Sequence, residues 1–342
     1  SEYAYIINSV DYNIPAVINS LVNSDILVST AFKPFTINTS SGLIPFDYGS
    51  LVIPVSLQKI SSKELFNKLE NIQNKFQVNI YSAPSGLSSG GIDLGSRYVS
   101  PMKKQKVMMI VGTGVRSYEA GEVWHLLDQR VGMPISKIPI RNFDRVSLDG
   151  YTTMVIVSGS YDFNENQLKK IKDWASNGNT IISIGSGSKF LIENAIVNEK
   201  LLKSDKNDES KDYQPYINAE DNRGKERIGG IILNAQVDLT HPIGFGYEDS
   251  KIPVYRNNTV WIQPSNNQYS SVVRYSNDPL IDGFITDNNA EKLNSTISLL
   301  VSKIGNGRAV MFSDNPNFRG SWYGTNRLFL NAILLGDKIQ VP

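Results

Sequence analysis

The chain has 342 residues, 40% of them hydrophobic and 20% charged, a composition typical of a globular protein rather than a disordered one. Its formal net charge of +1 provides no long-range field to attract nucleic acid or an acidic lipid surface, so we expect neither partner. The absence of cysteine excludes disulfides, thiolate nucleophiles and cysteine-bound metals. No apolar run approaches the roughly 18 residues of a membrane-spanning helix. Because the chain starts at Ser1 without a leader segment, we interpret it as part of a longer protein.

Residues 1–102 are predicted to form a small α/β linking domain. The segment 3–7 alternates as a strand does, and Pro15 favours the first turn of a helix, where its missing N–H costs nothing. Ser61 begins a capping-box pattern for a second helix that ends near residue 74. Further strands are predicted within 25–37, 50–55 and 77–81, and a glycine- and serine-rich loop over 84–95.

Residues 103–342 show a different pattern and are predicted to form a second, larger domain. An apolar strand, a glycine turn and a helix follow one another three times, which predicts a doubly wound, mostly parallel sheet of the flavodoxin-like type. The strands are expected at 107–111, 153–157 and 180–184, and the helices at 119–131, 165–176 and 189–196.

The rest of this domain contains a polar insertion and a second β-rich part. Residues 197–230 are mostly polar and charged, which predicts a surface loop or a mobile flap. β-like patterns return at 231–239 and 259–263, and a last buried strand is expected at 308–313. An amphipathic helix is predicted over 324–335, with Gly336 at its C′ position.

Glycine-containing turns follow the three buried strands. They are Gly112-Thr113-Gly114, Ser158-Gly159-Ser160 and Gly185-Ser186-Gly187. The carboxyl ends of parallel strands meet at one edge of a sheet, where ligands bind and backbone N–H groups can hold an anion. The simpler interpretation is that the glycines only make tight turns between strand and helix, and we favour it. No G-x-G-x-x-G follows the first strand, so a dinucleotide site is not expected.

The segment 153–187 contains a strand, a glycine-containing loop, a helix and a second strand that ends in Ser183-Ile184-Gly185-Ser186-Gly187. This order resembles the core of class I glutamine amidotransferase-like domains, in which the second strand leads to a nucleophile elbow of the form small-Ile-Cys-small-Gly. Gly185 stands in the position of the cysteine and has no side chain to attack a carbonyl carbon. Covalent amide chemistry is therefore not expected there. Ser186 lies one position too late.

The histidine of that superfamily comes from a later His-Pro-Glu-like segment, to which Thr240-His241-Pro242-Ile243 is loosely similar. Ile243 replaces the acid that would orient the imidazole, so the triad is incomplete at a second position. We favour the interpretation that His241 is a loop histidine satisfied by backbone groups; the alternative is a hydrolase that uses Ser186 and His241. His125 is the only other histidine, so neither a metal site nor another cofactor is expected in this chain.

Several longer segments carry a more specific resemblance. They are 120–128, 241–247 followed by 252–254, 312–320 and 323–332, together with 31–36, 47–54 and 93–96 nearer the N-terminus. These segments resemble the C-terminal region of large bacterial zinc carboxypeptidases of the carboxypeptidase A and T type, particularly those of Bacteroidetes-like bacteria. In that family the zinc ligands and the catalytic glutamate belong to a separate peptidase domain, and none of them is in this sequence.

This resemblance implies a non-catalytic accessory or interaction region of a secreted zinc metallocarboxypeptidase. The implied partner is the upstream peptidase domain of the same parent chain, and the implied location is secreted, periplasmic or on the cell surface. A carbohydrate- or envelope-binding module is a further alternative, for which 16 Tyr and 4 Trp are the only support.

A relict pocket is expected at the carboxyl edge of the sheet. Its members would be Gly112, Gly114, Glu122, Ser158, Gly159, Gly185, Ser186, Asp314 and Arg319. Residues 314–323 directly follow the last buried strand, and a buried charge persists only when it is paired. We therefore expect Asp314 and Arg319 to lie near Gly185 and to pair with each other or with Glu122.

Overall fold

The computed structural model of the chain describes residues 3–202, 213–225 and 227–340. Within residues 3–102 there are two helices, α1 (Ile14–Asn23) and α2 (Ser62–Phe76). The strands are β1 (Ala4–Ile7), β2 (Ser29–Ala31), β3 (Phe35–Thr39), β4 (Gly42–Phe46), β5 (Leu51–Pro54), β6 (Ile80–Ala83), β7 (Gly90–Gly91) and β8 (Val99–Pro101). They form an antiparallel five-stranded sheet, in the order β6-β1-β5-β2-β8, and an antiparallel three-stranded sheet, β4-β3-β7.

The remaining residues form one large sheet with helices on both faces. Its strands are β9 (Val107–Val111), β10 (Ile135–Pro139), β11 (Thr153–Ile156), β12 (Thr180–Ile184), β13 (Ile231–Val237), β14 (Lys251–Arg256), β15 (Ser271–Asp282), β16 (Ile297–Ile304) and β17 (Gly307–Phe312). The helices are α3 (Ser117–Trp124), α4 (Glu165–Ser176), α5 (Ser186–Glu193), α6 (Ala219–Lys225), α7 (Asp287–Asn294) and α8 (Tyr323–Leu335). A π-helical stretch, His125–Val131, continues α3.

The nine strands have the order β10-β9-β11-β12-β17-β16-β15-β13-β14. The first five are mutually parallel, and the other four add antiparallel pairs. The α/β class and the parallel strands are therefore as predicted, but the sheet as a whole is mixed. In the parallel half the chain runs from β9 outward to β10 and then returns to the other side of β9. This reversal places the topological switch point of the sheet between β9 and β11.

The core shows why the two parts of the chain pack together. The largest apolar cluster contains residues from both parts, from Ile7 in β1 to Ile339 near the C-terminus. Arg327 of α8 is buried beside this cluster, and its guanidinium donates to the backbone oxygens of Ser9 (2.7 Å) and Asp11 (2.9 Å). A cation inside a core persists only where acceptors meet it, so these contacts tie the start of the chain to its last helix.

Several sequence-based expectations differ from the structure, among them the helix expected at 189–196, which spans Ser186–Glu193. Residues 259–263 form no strand and take part only in an isolated bridge between Leu201 and Ile262. Gly336 has a right-handed conformation and begins a short 3-10 turn; glycine is required there because an added Cβ would lie 2.6 Å from Thr180 Oγ1. Within the predicted insertion at 197–230, residues 213–225 include α6, which buries no side chain. Residues 203–212 of that insertion lie outside the described residues.

Candidate functional site

The strand-to-helix turn at Gly185 is the centre of the carboxyl edge. β12 ends at Ile184 and α5 begins at Ser186, so Gly185 alone makes the turn, with φ 53° and ψ −120°. Residues with side chains avoid this region of backbone conformation, and folds that use it hold it by their surroundings. A nucleophile elbow presents its reactive residue on this kind of sharp, strained turn. The backbone at Gly185 thus has the shape of an elbow that carries no side chain.

The hydroxyl of Ser158 occupies the space beside that turn. A Cβ added to Gly185 would lie 2.4 Å from Ser158 Oγ, far inside normal contact distance. The hydroxyl is fixed, since it donates to Ile184 O (3.3 Å) and accepts from Ser186 N–H (3.3 Å). Ser158 is 2% exposed, so these two bonds satisfy a buried polar group. The side chain of a nucleophile would have to displace it.

The hydroxyl of Ser186 is also engaged with the neighbouring turn. Gly159 N–H donates to Ser186 Oγ (2.8 Å), and Ser186 Oγ donates to Gly159 O (3.2 Å). The turn after β9 closes onto the same loop, because Ser160 N–H donates to Gly114 O (3.0 Å). The three glycine-containing turns therefore meet at one edge, and their mutual hydrogen bonds close the crevice at the switch point.

Two glutamates of α3 face this edge. The Glu119 side chain is buried, accepts from Ser158 N–H (2.9 Å) and pairs with Arg116 (3.3 Å). Glu122 accepts from Asn315 Nδ2 (2.8 Å) and from Arg319 N–H (2.6 Å). Burial raises the pKa of Glu122, and the two hydrogen bonds oppose that rise. Sequence reasoning found Glu122 but missed Glu119, although the two lie three residues apart on one helix face.

Asp314 forms a buried ion pair with Arg256, at 3.0 Å, instead of the predicted pair with Arg319. Tyr275 Oη also donates to the carboxylate, and the Arg256 guanidinium lies 4.2 Å from the centre of the Trp261 ring. Burial raises the pKa of Asp314, whereas the Arg256 charge and the hydrogen bonds lower it. Arg256 follows Ile252 and Val254 at a spacing of two, and this alternation is the signal that places it on the buried face of β14.

Arg319 is exposed, so the expectation of a buried charge at this position is wrong. Its backbone has φ 53°, in the left-handed region, and its N–H is held by the Glu122 carboxylate. The guanidinium lies 5.1 Å from the centre of the Phe318 ring, and that ring stacks on Tyr255 with 3.5 Å between ring centres. The structure thus fixes the backbone of Arg319 and leaves its side chain in solvent.

His241 is satisfied by the backbone, as the simpler interpretation expected. Its Nδ1 accepts from Ile243 N–H (3.2 Å) at the start of a short 3-10 turn. Burial lowers the pKa of His241 to about 4, which keeps the imidazole neutral and Nδ1 available as an acceptor. No hydrogen bond among the described residues joins His241 to Ser186. Ser186 and His241, the two residues of the alternative hydrolase, therefore each hydrogen-bond to other backbone groups.

Within residues 3–202, 213–225 and 227–340, no three or more His, Asp or Glu side chains are grouped so that they could hold a metal ion. In the same ranges no helix has both the length and the apolar character needed to cross a membrane.

No protein-family model and no curated protein matches the chain. Among solved structures, it is similar to a provisionally assigned GMP synthase component from Thermoplasma acidophilum (15% identity, 67% of this chain, 92% of the other, TM-score 0.42). It is also similar to a ThuA-like protein from Parabacteroides merdae (12% identity, 68% and 90% coverage, TM-score 0.44). A glutamine amidotransferase from Thermotoga maritima is a third (10% identity, 62% and 76% coverage, TM-score 0.38). All three similarities are at low sequence identity.

Proposed function

We propose that the chain is a non-catalytic accessory or interaction region of a secreted zinc metallocarboxypeptidase. The observation that carries the non-catalytic part is the Ser158 hydroxyl, which fills the space next to Gly185 where the side chain of an elbow nucleophile would begin. Covalent catalysis requires a nucleophile within hydrogen-bond reach of a base, and this turn offers neither. The parentage rests on the resemblance of the sequence segments 120–128, 241–247, 312–320 and 323–332.

The alternative hydrolase is the weaker proposal, because both of its side chains already make hydrogen bonds to the backbone. The Ser186 hydroxyl exchanges hydrogen bonds with Gly159, and His241 Nδ1 receives the Ile243 N–H. A base that accepts a backbone N–H cannot at the same time accept the proton of a serine through that nitrogen.

The interaction role is supported by the exposed side chains at the same edge. Arg319 and Tyr118 are exposed, and Trp322 is half-buried while its Nε1 donates to Pro253 O (3.3 Å). Arginine and aromatic residues on a fixed backbone are typical anchors of protein interfaces. In this proposal the edge contacts the peptidase domain of the same parent chain, which supplies the zinc, and the accessory region needs no cofactor of its own.

Turnover assays test the non-catalytic part. Purified chain is incubated with glutamine, a peptide and a chromogenic ester, and no turnover above that of a Ser186→Ala variant is expected. Turnover that disappears in both Ser186→Ala and His241→Ala would establish the hydrolase instead. Elemental analysis of protein purified without a chelator is expected to find no stoichiometric zinc.

Binding measurements test the interaction part. The peptidase domain encoded upstream in the same gene, if it carries zinc ligands behind a signal peptide, is titrated with the chain in a calorimeter. Arg319→Ala is expected to weaken binding at least about tenfold, whereas Arg145→Ala, an exposed arginine beside the C-terminal end of α4 at the opposite edge of the sheet, is expected to have no effect. An upstream sequence without a peptidase domain would contradict the parentage.

A further inference from the structure

A cavity lies on the β10 side of β9, whereas the switch point lies on its β11 side. It has a volume of ≈ 380 Å³ and opens between α3 and the edge strand β10. Its floor is formed by Met109 and Val111 of β9, and Val115 and Ala120 line it from the loop and from α3. Pockets of this size that bind small molecules are mostly apolar with a few polar groups. This cavity has that composition, and it is separate from the Gly185 turn.

The mouth of the cavity carries one positive charge. Lys137 of β10 is exposed, and its Nζ lies 5.2 Å from the centre of the Trp124 ring, which forms a wall of the cavity. None of the residues that line the cavity is acidic, and no carboxylate of the described residues pairs with Lys137. A lone ammonium group beside an apolar space favours a ligand that brings one negative charge.

The space itself is kept open by Gly121. A Cβ added to this residue of α3 would meet no atom within 4 Å, so the helix face is open there. Glycine in the interior of a helix is destabilising relative to alanine. The sequence therefore carries a helix-weakening residue at the place where a side chain would enter the cavity.

We propose that this cavity binds a small monocarboxylate with an apolar, aliphatic or aromatic, body. The body lies on Val111, Ala120 and the Trp124 ring, and the carboxylate receives a hydrogen bond from Lys137 Nζ. A second anionic group would find no second cation, since Lys137 is the only charged residue in the lining. The site stands apart from the proposed accessory function and does not depend on it.

The test uses 3-phenylpropionate and its neutral amide as probes in calorimetric titrations of the whole chain. The acid is expected to bind saturably and at least about tenfold more tightly than the amide, because only the acid makes a hydrogen bond between two charged groups. Lys137→Gln should reduce the affinity for the acid to that for the amide. Lys106→Gln is the matched control: Lys106 Nζ also lies over an aromatic ring, that of Tyr151 at 5.0 Å, but outside the cavity.

Gly121→Leu fills the cavity and is expected to abolish binding of both probes. Circular dichroism checks that this variant is folded, and Ala120→Leu, on the same wall, provides a second obstruction. The proposal is overturned if neither probe binds saturably, if acid and amide bind equally to the unaltered chain, or if the preference for the acid survives Lys137→Gln.

Discussion

Asp314 and Arg256 form a buried ion pair at the carboxyl edge, with side chains that are 5% and 0% exposed. Breaking such a pair leaves one buried charge without a partner, so Arg256→Ala is expected to lower the free energy of unfolding by about 3–5 kcal/mol. Arg319→Ala changes an exposed side chain and is expected to alter it by less than about 0.5 kcal/mol. Urea denaturation of the two variants measures both values.

A double variant measures the interaction energy between Arg256 and Asp314. If the two charges stabilise the fold through each other, Arg256→Ala combined with Asp314→Ala should cost clearly less than the sum of the single changes. Additive losses, or a loss of several kcal/mol in Arg319→Ala, would contradict the assignment of Arg256 as the partner.

The turn at Gly185 gives a second prediction for single residues. Gly185→Ala places a Cβ 2.4 Å from Ser158 Oγ on a backbone with φ +53°, so we expect a loss of about 1–3 kcal/mol in the free energy of unfolding. Ser158→Gly removes the obstructing hydroxyl, and the double variant should recover part of the loss. An unchanged free energy of unfolding in Gly185→Ala would show that the space beside the turn is not filled.

The buried neutral histidine predicts a pH dependence. The folded pKa of His241, about 4, lies below the ordinary value near 6.5, so the unfolded chain binds more protons between these pH values. The contribution of His241 to stability is full above pH 6.5, falls as the pH drops, and is lost below pH 4; its size is about 3 kcal/mol, since one unit of pKa difference corresponds to about 1.4 kcal/mol. Chemical denaturation at pH 7, 5.5 and 4.5 measures it.

His241→Asn is the control for this titration. Its amide oxygen can accept the Ile243 N–H in place of Nδ1, as asparagine does at the start of many turns, but it does not titrate. Carboxylates titrate equally in both proteins. The free energy of unfolding of the unaltered chain should therefore fall relative to that of His241→Asn as the pH drops from 7 to 4.5. A difference that is constant from pH 7 to pH 4.5 would show that His241 is not buried neutral.

At the scale of elements, α6 is held by few contacts. No side chain of α6 is buried, and Arg223 and Lys225 are exposed. Proteases cut where the backbone can open locally at little cost. Trypsin is therefore expected to cut first within 197–230 and next near Lys103–Lys106, where three lysines are exposed. Mass spectrometry of the early fragments identifies the order, and a first cut elsewhere would contradict it.

Elements with strong local patterns were predictable from the sequence. β9, β11 and β12 are continuous apolar runs bounded by glycine, and they occur where the pattern indicates them. β14 contains Pro253 and β15 contains Pro279, residues that argue against a strand interior and are tolerated at edges and bulges. The apolar run of β16 was an available signal that the sequence reasoning did not use.

The π-helical stretch and the edge contacts could not be predicted in the same way. The regular spacing of the apolar residues Val123, Leu127 and Val131 favours an ordinary α-helix, yet the residues after Trp124 form a π-helix. The pairing of Asp314 with Arg256 joins residues 58 positions apart and depends on strands that local pattern did not reveal. Sequence patterns therefore placed the glycine-containing turns at the ends of their strands, but did not show which charges meet there.

At the scale of the whole molecule, the two parts of the chain share one core. The boundary expected at residues 102 and 103 separates two patterns of sequence, and it stays a prediction for folding. The largest apolar cluster draws on both parts, and Arg327 of α8 donates to carbonyls near the N-terminus. A pattern within one segment does not reveal contacts that join residues so far apart along the chain.

The central proposal is that the edge of the sheet around Gly185 makes and breaks no covalent bonds. Intact-mass spectrometry after incubation with a serine-directed phosphonofluoridate tests it most directly, because an activated serine keeps the phosphonyl group whether or not its substrate is known. We predict an unchanged mass for the whole chain, as for its Ser186→Ala variant. A single phosphonyl adduct that maps to Ser186 and disappears in His241→Ala would contradict the claim and identify a hydrolase.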